Sequence, residues 1–127
     1  MPIIKLTSKT NKFKKPKQGI MITARCHPGE TVGSHVMEGV LKSLVKNNDN
    51  IINYLREKWV FYIIPMINPD GVFWGNTRTS LAGVDLNRKW KHPDDTMQPE
   101  VYYLKSFIEI LGTEKISIFV DLHGHSK

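Results

Sequence analysis

Three short apolar runs, each ending in a cluster of reactive polar residues, constrain this chain most. Gly19-Ile20-Met21-Ile22-Thr23-Ala24 runs into Arg25-Cys26-His27-Pro28-Gly29-Glu30. Trp59 to Met66 runs into Asn68-Pro69-Asp70-Gly71, and Ile116 to Val120 into Asp121-Leu122-His123-Gly124-His125. Short, continuous, β-favouring runs read as buried strands, and a sheet covered on both faces produces them. Between the first two runs, Val32, Val36, Met37, Val40, Leu41, Leu44 and Val45 recur at helical spacing. Asn47-Asn48-Asp49-Asn50 breaks that helix, and a second amphipathic stretch carries Ile51, Ile52 and Leu55. A further helix should begin at Pro99, with Glu100 in its first turn and Val101, Leu104, Phe107, Ile108 and Leu111 facing inward. Gly112 should stop it. The order strand, helices, strand, long loop, helix, strand predicts an α/β sandwich around a mainly parallel sheet.

Residues 67–97 hold Asn, Asp, Gly, Pro and Arg with little periodicity, and Asn68-Pro69-Asp70-Gly71 reads as a turn. Structureless stretches this long inside a domain are usually functional. Ligands of open α/β sheets sit at the carboxyl ends of strands. That rule marks residues 25–30, 67–90 and 121–125, the segments richest in His, Glu, Asp, Asn and Arg.

Composition excludes several classes. With 40% hydrophobic and 24% charged residues over 127 positions, wholesale disorder is excluded. No apolar run approaches the ~20 residues of a membrane helix, and the first ten residues lack a secretory apolar core. One cysteine, Cys26, excludes an internal disulfide framework and fits a reducing compartment. The expected setting is soluble and cytoplasmic, with no membrane partner. The net charge of +6 is local: Lys5, Lys9, Lys12, Lys14, Lys15 and Lys17 precede residue 18 without an acid among them. Without those six, 12 basic residues face 12 acidic ones. Such an arm can hold acidic surfaces, or can be a solvated loop guarding a sheet edge. Only Phe13 interrupts it, so no nucleic-acid partner is expected.

His27 and Glu30 lie three apart in a Pro-Gly turn at a strand end. Taken alone the pair reads as an ordinary surface ion pair. With His123 from another strand end it makes a His₂Glu set with an open fourth position, the donor set of a catalytic zinc. Arg78, Asn87 and Arg88 nearby suit an anionic substrate group and a developing oxyanion, since guanidinium binds carboxylate in a bidentate fork. Asp85 could accept from the second nitrogen of a metal-bound histidine.

Five ordered motifs make a family resemblance specific. They are His27-Pro28-Gly29-Glu30-Thr31, Asn68-Pro69-Asp70-Gly71-Val72, Gly75-Asn76-Thr77-Arg78, Ser80-Leu81-Ala82-Gly83-Val84-Asp85-Leu86-Asn87-Arg88 and Asp121-Leu122-His123-Gly124-His125-Ser126. Together they resemble the M14 zinc carboxypeptidases, most of all the cytosolic branch that trims glutamates from tubulin and other proteins. The resemblance implies a carboxypeptidase-like α/β/α sandwich with a mixed sheet and one zinc ion held by His27, Glu30 and His123. It also implies Arg78 on the oxyanion, Asn87 and Arg88 on the substrate's terminal carboxylate, and Asp85 behind His27. The substrate class it implies is a protein or peptide C-terminus, polyglutamylated tubulin included.

The family's general-base glutamate and substrate-closing tyrosine lie downstream of the third zinc ligand. The resemblance therefore implies an incomplete catalytic domain over 1–127, with 1–18 as a lysine-rich lead-in and 19–126 bearing the motifs. Residues Ile3 to Thr7 would be at most the last strand of a preceding β-rich domain. Glu38, Glu57, Glu100, Glu109 and Glu114 read as solvated helix charges and not as the base. Two alternatives follow: an inactive zinc-binding fragment, or a basic-arm module for acidic protein tails. An apolar edge left on the last strand predicts poor solubility. Cys26 should be a buried, inert thiol alternating away from His27, and His125 a loop residue near the pocket. His35 and His92 read as bystanders, and Trp59, Trp74 and Trp90 as packing.

Overall fold

A computed structural model describes residues 1–46 and 49–124. Asn47 and Asn48 of the expected helix break, His125 and Ser126 of the last motif, and Lys127 lie outside them. The elements are β1 (Ile4–Leu6), β2 (Gln18–Ala24), α1 (Thr31–Lys46), α2 (Asn50–Lys58), β3 (Trp59–Ile64), α3 (Pro69–Phe73), α4 (Pro99–Leu111) and β4 (Ile116–Leu122). Short 3₁₀ turns cover Leu86–Arg88 and Thr113–Lys115. Among the described residues, no helix is long and apolar enough to cross a membrane.

The four strands form one sheet in the order β1-β3-β2-β4. β2 runs parallel to both β3 and β4, and β1 is antiparallel to β3. The sheet is therefore mixed and mainly parallel, as expected. Because successive strand residues point to opposite faces, the same strands feed two cores. Met21 and Ile64 pack with Ile67, Leu86, Val101 and Leu104 beneath α4. Ala24, Phe61 and Ile63 pack with Met37 and Leu44 of α1 on the other face. Fully burying a side chain such as Ile63 contributes about 1.5–3 kcal/mol. The result is the α/β/α sandwich.

Local chemistry places the helix ends. Asp49 caps α2 by accepting from the Ile52 amide at 2.8 Å. Pro99 occupies the first turn of α4, and Gly112 ends it with φ at 88°, a conformation open to glycine. The turn expected at Asn68-Pro69-Asp70-Gly71 is the start of α3: Asn68 accepts from the Gly71 amide at 2.9 Å, and Pro69 enters without needing a donor.

Several expectations are corrected. The run Ile116 to Val120 is not buried. Ile118, Phe119 and Val120 are 43%, 44% and 38% exposed, because β4 is an edge strand paired only to β2 among the described residues. Residues Ile4–Leu6 pair antiparallel with β3 and belong to the same sheet. Trp74 is not packing: it stands exposed, edge-on to exposed Phe73. Val32, Val36 and Val45 lie off the buried stripe of α1, which narrows to Gly33, Met37 and Leu44. Glu57 and Glu100 are not solvated charges. Glu57 pairs with Lys12 at 2.9 Å, and the Oε2 of half-buried Glu100 has no partner among the described residues. The lysine arm is tied to α2 as well: Lys17 Nζ donates to Thr7 Oγ1, Ser8 O and Arg56 O, and Phe13 meets Tyr54 edge-on.

Candidate metal centre

β2 and β4 are neighbours and parallel, so the segments that leave their carboxyl ends emerge side by side. The chain leaving β2 turns sharply at Arg25, whose φ of 57° is left-handed. The buried Arg25 guanidinium then donates to Pro28 O and Ser34 Oγ, lashing the turn to the start of α1. Gly29 closes the turn against the neighbouring loop. Its amide donates to Thr77 O at 2.9 Å, and a Cβ there would sit 2.7 Å from the same oxygen. Any side chain at Gly29 would force that loop, and Arg78 with it, away.

The turn aims His27 and Glu30 at His123. Glu30 Oε1 lies 2.8 Å from His27 Nδ1, and Oε2 lies 2.9 Å from His123 Nδ1. The Gly124 amide donates to Oε2 at 2.7 Å. The imidazole centroids are 4.9 Å apart. One ligand atom from each of the three residues falls within 4.8 Å of the others. Each ring's Nε2 faces a carboxylate: Asp85 Oδ1 at 3.0 Å for His27, and Asp121 Oδ2 at 2.6 Å for His123. With Nε2–H donating, a neutral ring carries its lone pair on Nδ1, turned toward Glu30.

Acid–base behaviour follows from these contacts. Burial opposes ionisation of Glu30, but hydrogen bonds from the Gly124 amide, His27 and His123 hold its carboxyl below the usual range. Asp85 is likewise resisted by burial and lowered by His27 and Arg78. For His123, burial works against protonation, while Asp121 and Glu30 outweigh it and raise the pKa. Cys26 lies fully buried under α4, its pKa pushed up to about 12 by burial and then by Asp121, Asp85 and Glu30. It is a buried thiol packed in the core, as expected.

The three residues fit a single zinc ion by donor chemistry. Two imidazole nitrogens and one carboxylate oxygen suit zinc, whereas calcium and magnesium take oxygens alone. The centre opens onto a cleft of about 640 Å³ lined by His27, Glu30, Thr31, Val32, Thr77 and Arg78 among others. Arg78 Nε donates to Asp85 Oδ2 at 2.8 Å, and its two terminal nitrogens have no partner among the described residues. Asp85 thus joins His27 to Arg78. Asn87 and Arg88 lie on the 3₁₀ turn that Asp85 caps. Asn87 Oδ1 accepts from Trp90 Nε1 at 3.1 Å; Arg88 is exposed and without an ion-pair partner among the described residues. His35 and His92 are exposed and outside the centre. A second cleft, of about 550 Å³ and lined by Phe13, Lys15, Lys17, Lys58, Trp59 and Lys115, lies where the parallel strands begin and contains no metal-ligating side chain. Sequence reasoning missed Arg25, Thr23 and Asp121. Only Asp121, two residues before a metal-type histidine, carried a visible signal.

The likeness to known proteins agrees with this geometry. The zinc carboxypeptidase profile (Peptidase M14) matches residues 1–127. Cytosolic carboxypeptidase 6 of Caenorhabditis elegans is 43% identical over 98% of this chain and 28% of its own length. Cytosolic carboxypeptidase 4 of Mus musculus is 49% identical over 84% of this chain and 10% of its own. The chain thus spans about a quarter or less of such curated relatives. A metallo-carboxypeptidase structure from Burkholderia cenocepacia superposes with a TM-score of 0.87 at 35% identity, covering 97% of this chain and 32% of that one. A carboxypeptidase A from Helicoverpa armigera shares the fold, with a TM-score of 0.79 at 18% identity.

Proposed function

The chain belongs to the zinc carboxypeptidase family, and from that premise we propose that it carries the metal-binding part of a site that removes C-terminal residues from proteins or peptides. The observation that carries this reading is the convergence of His27, Glu30 and His123 beside Arg78 in one cleft. His27 Nδ1, Glu30 and His123 Nδ1 would hold one zinc ion. Zinc in such a site polarises a carbonyl and makes water acidic enough to attack near neutral pH. Asp85 holds His27 in the Nε2–H tautomer and holds Arg78 beside it, so metal and oxyanion groups share one anchor. The terminal nitrogens of Arg78 are the donors for the developing oxyanion. Arg88, exposed and unpaired among the described residues, and Asn87 would bind the substrate's terminal carboxylate. Glutamate as the removed residue, tubulin tails as substrate and a cytoplasmic setting belong to this proposal, and the names of the cytosolic relatives support them.

In the full-length chain, a peptide with a free C-terminal glutamate should lose that residue, and its C-terminally amidated twin should not. Arg88→Ala should raise KM more than it lowers kcat. Equal cleavage of the amidated peptide would remove the carboxypeptidase reading.

A second reading is metal binding without turnover by these residues alone. One observation favours it: Glu30 is the single carboxylate lining the cleft among the described residues, and it is engaged with both histidines. Among the described residues lining the cleft, no carboxylate is left free to take a proton from water.

A further inference from the structure

The two histidines of the centre reach it by different routes. His27 leaves the central strand β2, is 5% exposed at its side chain, and is fastened by Asp85 in the loop. His123 leaves the edge strand β4, is 29% exposed at its side chain, and among the described residues its Nε2 has no partner from the long loop. Its Nε2 is held instead by Asp121 of its own strand, at 2.6 Å. Asp121 in turn is held from β2: the fully buried Thr23 donates its hydroxyl to Asp121 Oδ1 at 2.7 Å. Thr23 and Asp121 are direct partners in the β2–β4 register. The ladder carries one register shift at its other end, between Gly19 and Ile20.

We propose that Thr23 and Asp121 form a cross-strand clamp that positions the third zinc ligand. Asp121 sets the Nε2–H tautomer of His123, turning Nδ1 toward the metal, and Thr23 fixes Asp121 against β2. Both are positioning residues, since neither reaches the metal. The clamp rests on the zinc-centre reading above. A hydrophobic contact could not replace it, because only an acceptor can choose which imidazole nitrogen keeps its proton. Thr23 costs little here: its buried hydroxyl is satisfied by the carboxylate it orients.

The test compares zinc affinity by chelator competition in the full-length chain, together with ¹⁵N spectra that read the histidine tautomers. Asp121→Leu should weaken zinc roughly 10–100-fold and mix the His123 tautomers. Thr23→Val, which keeps the shape, should weaken it roughly 2–10-fold. Asp121→Asn keeps an acceptor and should recover part of the loss seen in Asp121→Leu. His27→Ala separates the two claims. Should His27→Ala abolish zinc binding while Asp121→Leu and Thr23→Val bind as wild type, the clamp is wrong and the metal centre stands. Should His27→Ala also bind as wild type, the metal centre itself is wrong. A lower melting temperature of the metal-free protein with unchanged zinc affinity would make the pair structural only and overturn the proposal. If Asp121→Leu does not fold, Thr23→Val and Asp121→Asn decide by the same readings.

Discussion

β2 and β4 lie side by side, run the same way and each deliver one histidine to the centre, yet they are built differently. β2 is covered on both faces and paired on both edges; Met21, Thr23 and Ala24 are inaccessible to solvent. β4 pairs on one edge among the described residues and leaves Ile118, Phe119 and Val120 substantially exposed. The His27 turn therefore has packing as well as hydrogen bonds from Arg25, Gly29 and Asp85 to hold it, while His123 depends on its hydrogen bonds with Asp121 and Glu30. A metal site can draw one ligand from a rigid core and another from a strand with little core of its own. Polar contacts then replace packing as the source of precision.

Breaking the buried side should have the largest effect. His27→Ala removes a proposed ligand from the packed half, and equilibrium titration should find zinc binding lost. Met21→Ala should cost about 2–5 kcal/mol in denaturant unfolding, as a fully buried core truncation. Ile118→Thr on β4 should stay within about 0.5 kcal/mol and should reduce self-association in light scattering, since it makes an exposed apolar edge more polar. Equal losses at the two positions would erase the contrast between the strands.

A smaller effect tests the loop side of the core. Burial, and then the nearby Asp70, raise the pKa of Glu100 above its ordinary 4.5. A group whose folded pKa is raised contributes stability below the unfolded value and loses it as pH rises through the folded one. Stability should therefore fall over the interval just above pH 4.5, and Glu100→Gln should flatten that fall. A steeper fall in the variant would contradict the sign. The smallest effect belongs to the lysine arm: Lys12→Ala loses an ion pair whose lysine is largely exposed and should change Tm only slightly in calorimetry.

The sequence made the parallel strands, the longer helices and the convergence of His27, Glu30 and His123 legible for one reason. Each strand end carried its chemistry in a short contiguous motif, so topology alone brought the motifs together. His27, Glu30 and His123 were readable that way. Other features depended on tertiary context. The exposure of β4 was not readable from its apolar run, which matches that of a buried strand; it followed only from the resemblance, which left an apolar edge on the last strand. Arg25 shows in the sequence only as part of a polar turn, yet it is buried in a left-handed conformation with its guanidinium on Pro28 O and Ser34 Oγ. Thr23 reads as a strand residue, and its role exists only through register with Asp121. α3 was hidden because Asn-Pro-Asp-Gly suits a turn as well as a capped helix start.

The most direct measurement is X-ray absorption fine structure of the zinc-loaded full-length chain, with metal content determined on the same sample. His27, Glu30 and His123 as ligands predict one zinc per chain, nitrogen and oxygen neighbours near 2.0–2.2 Å, a two-imidazole scattering pattern and no sulfur. A zinc–sulfur distance near 2.3 Å, which would bring Cys26 out of the core, or a chain that takes up no zinc, would contradict the account.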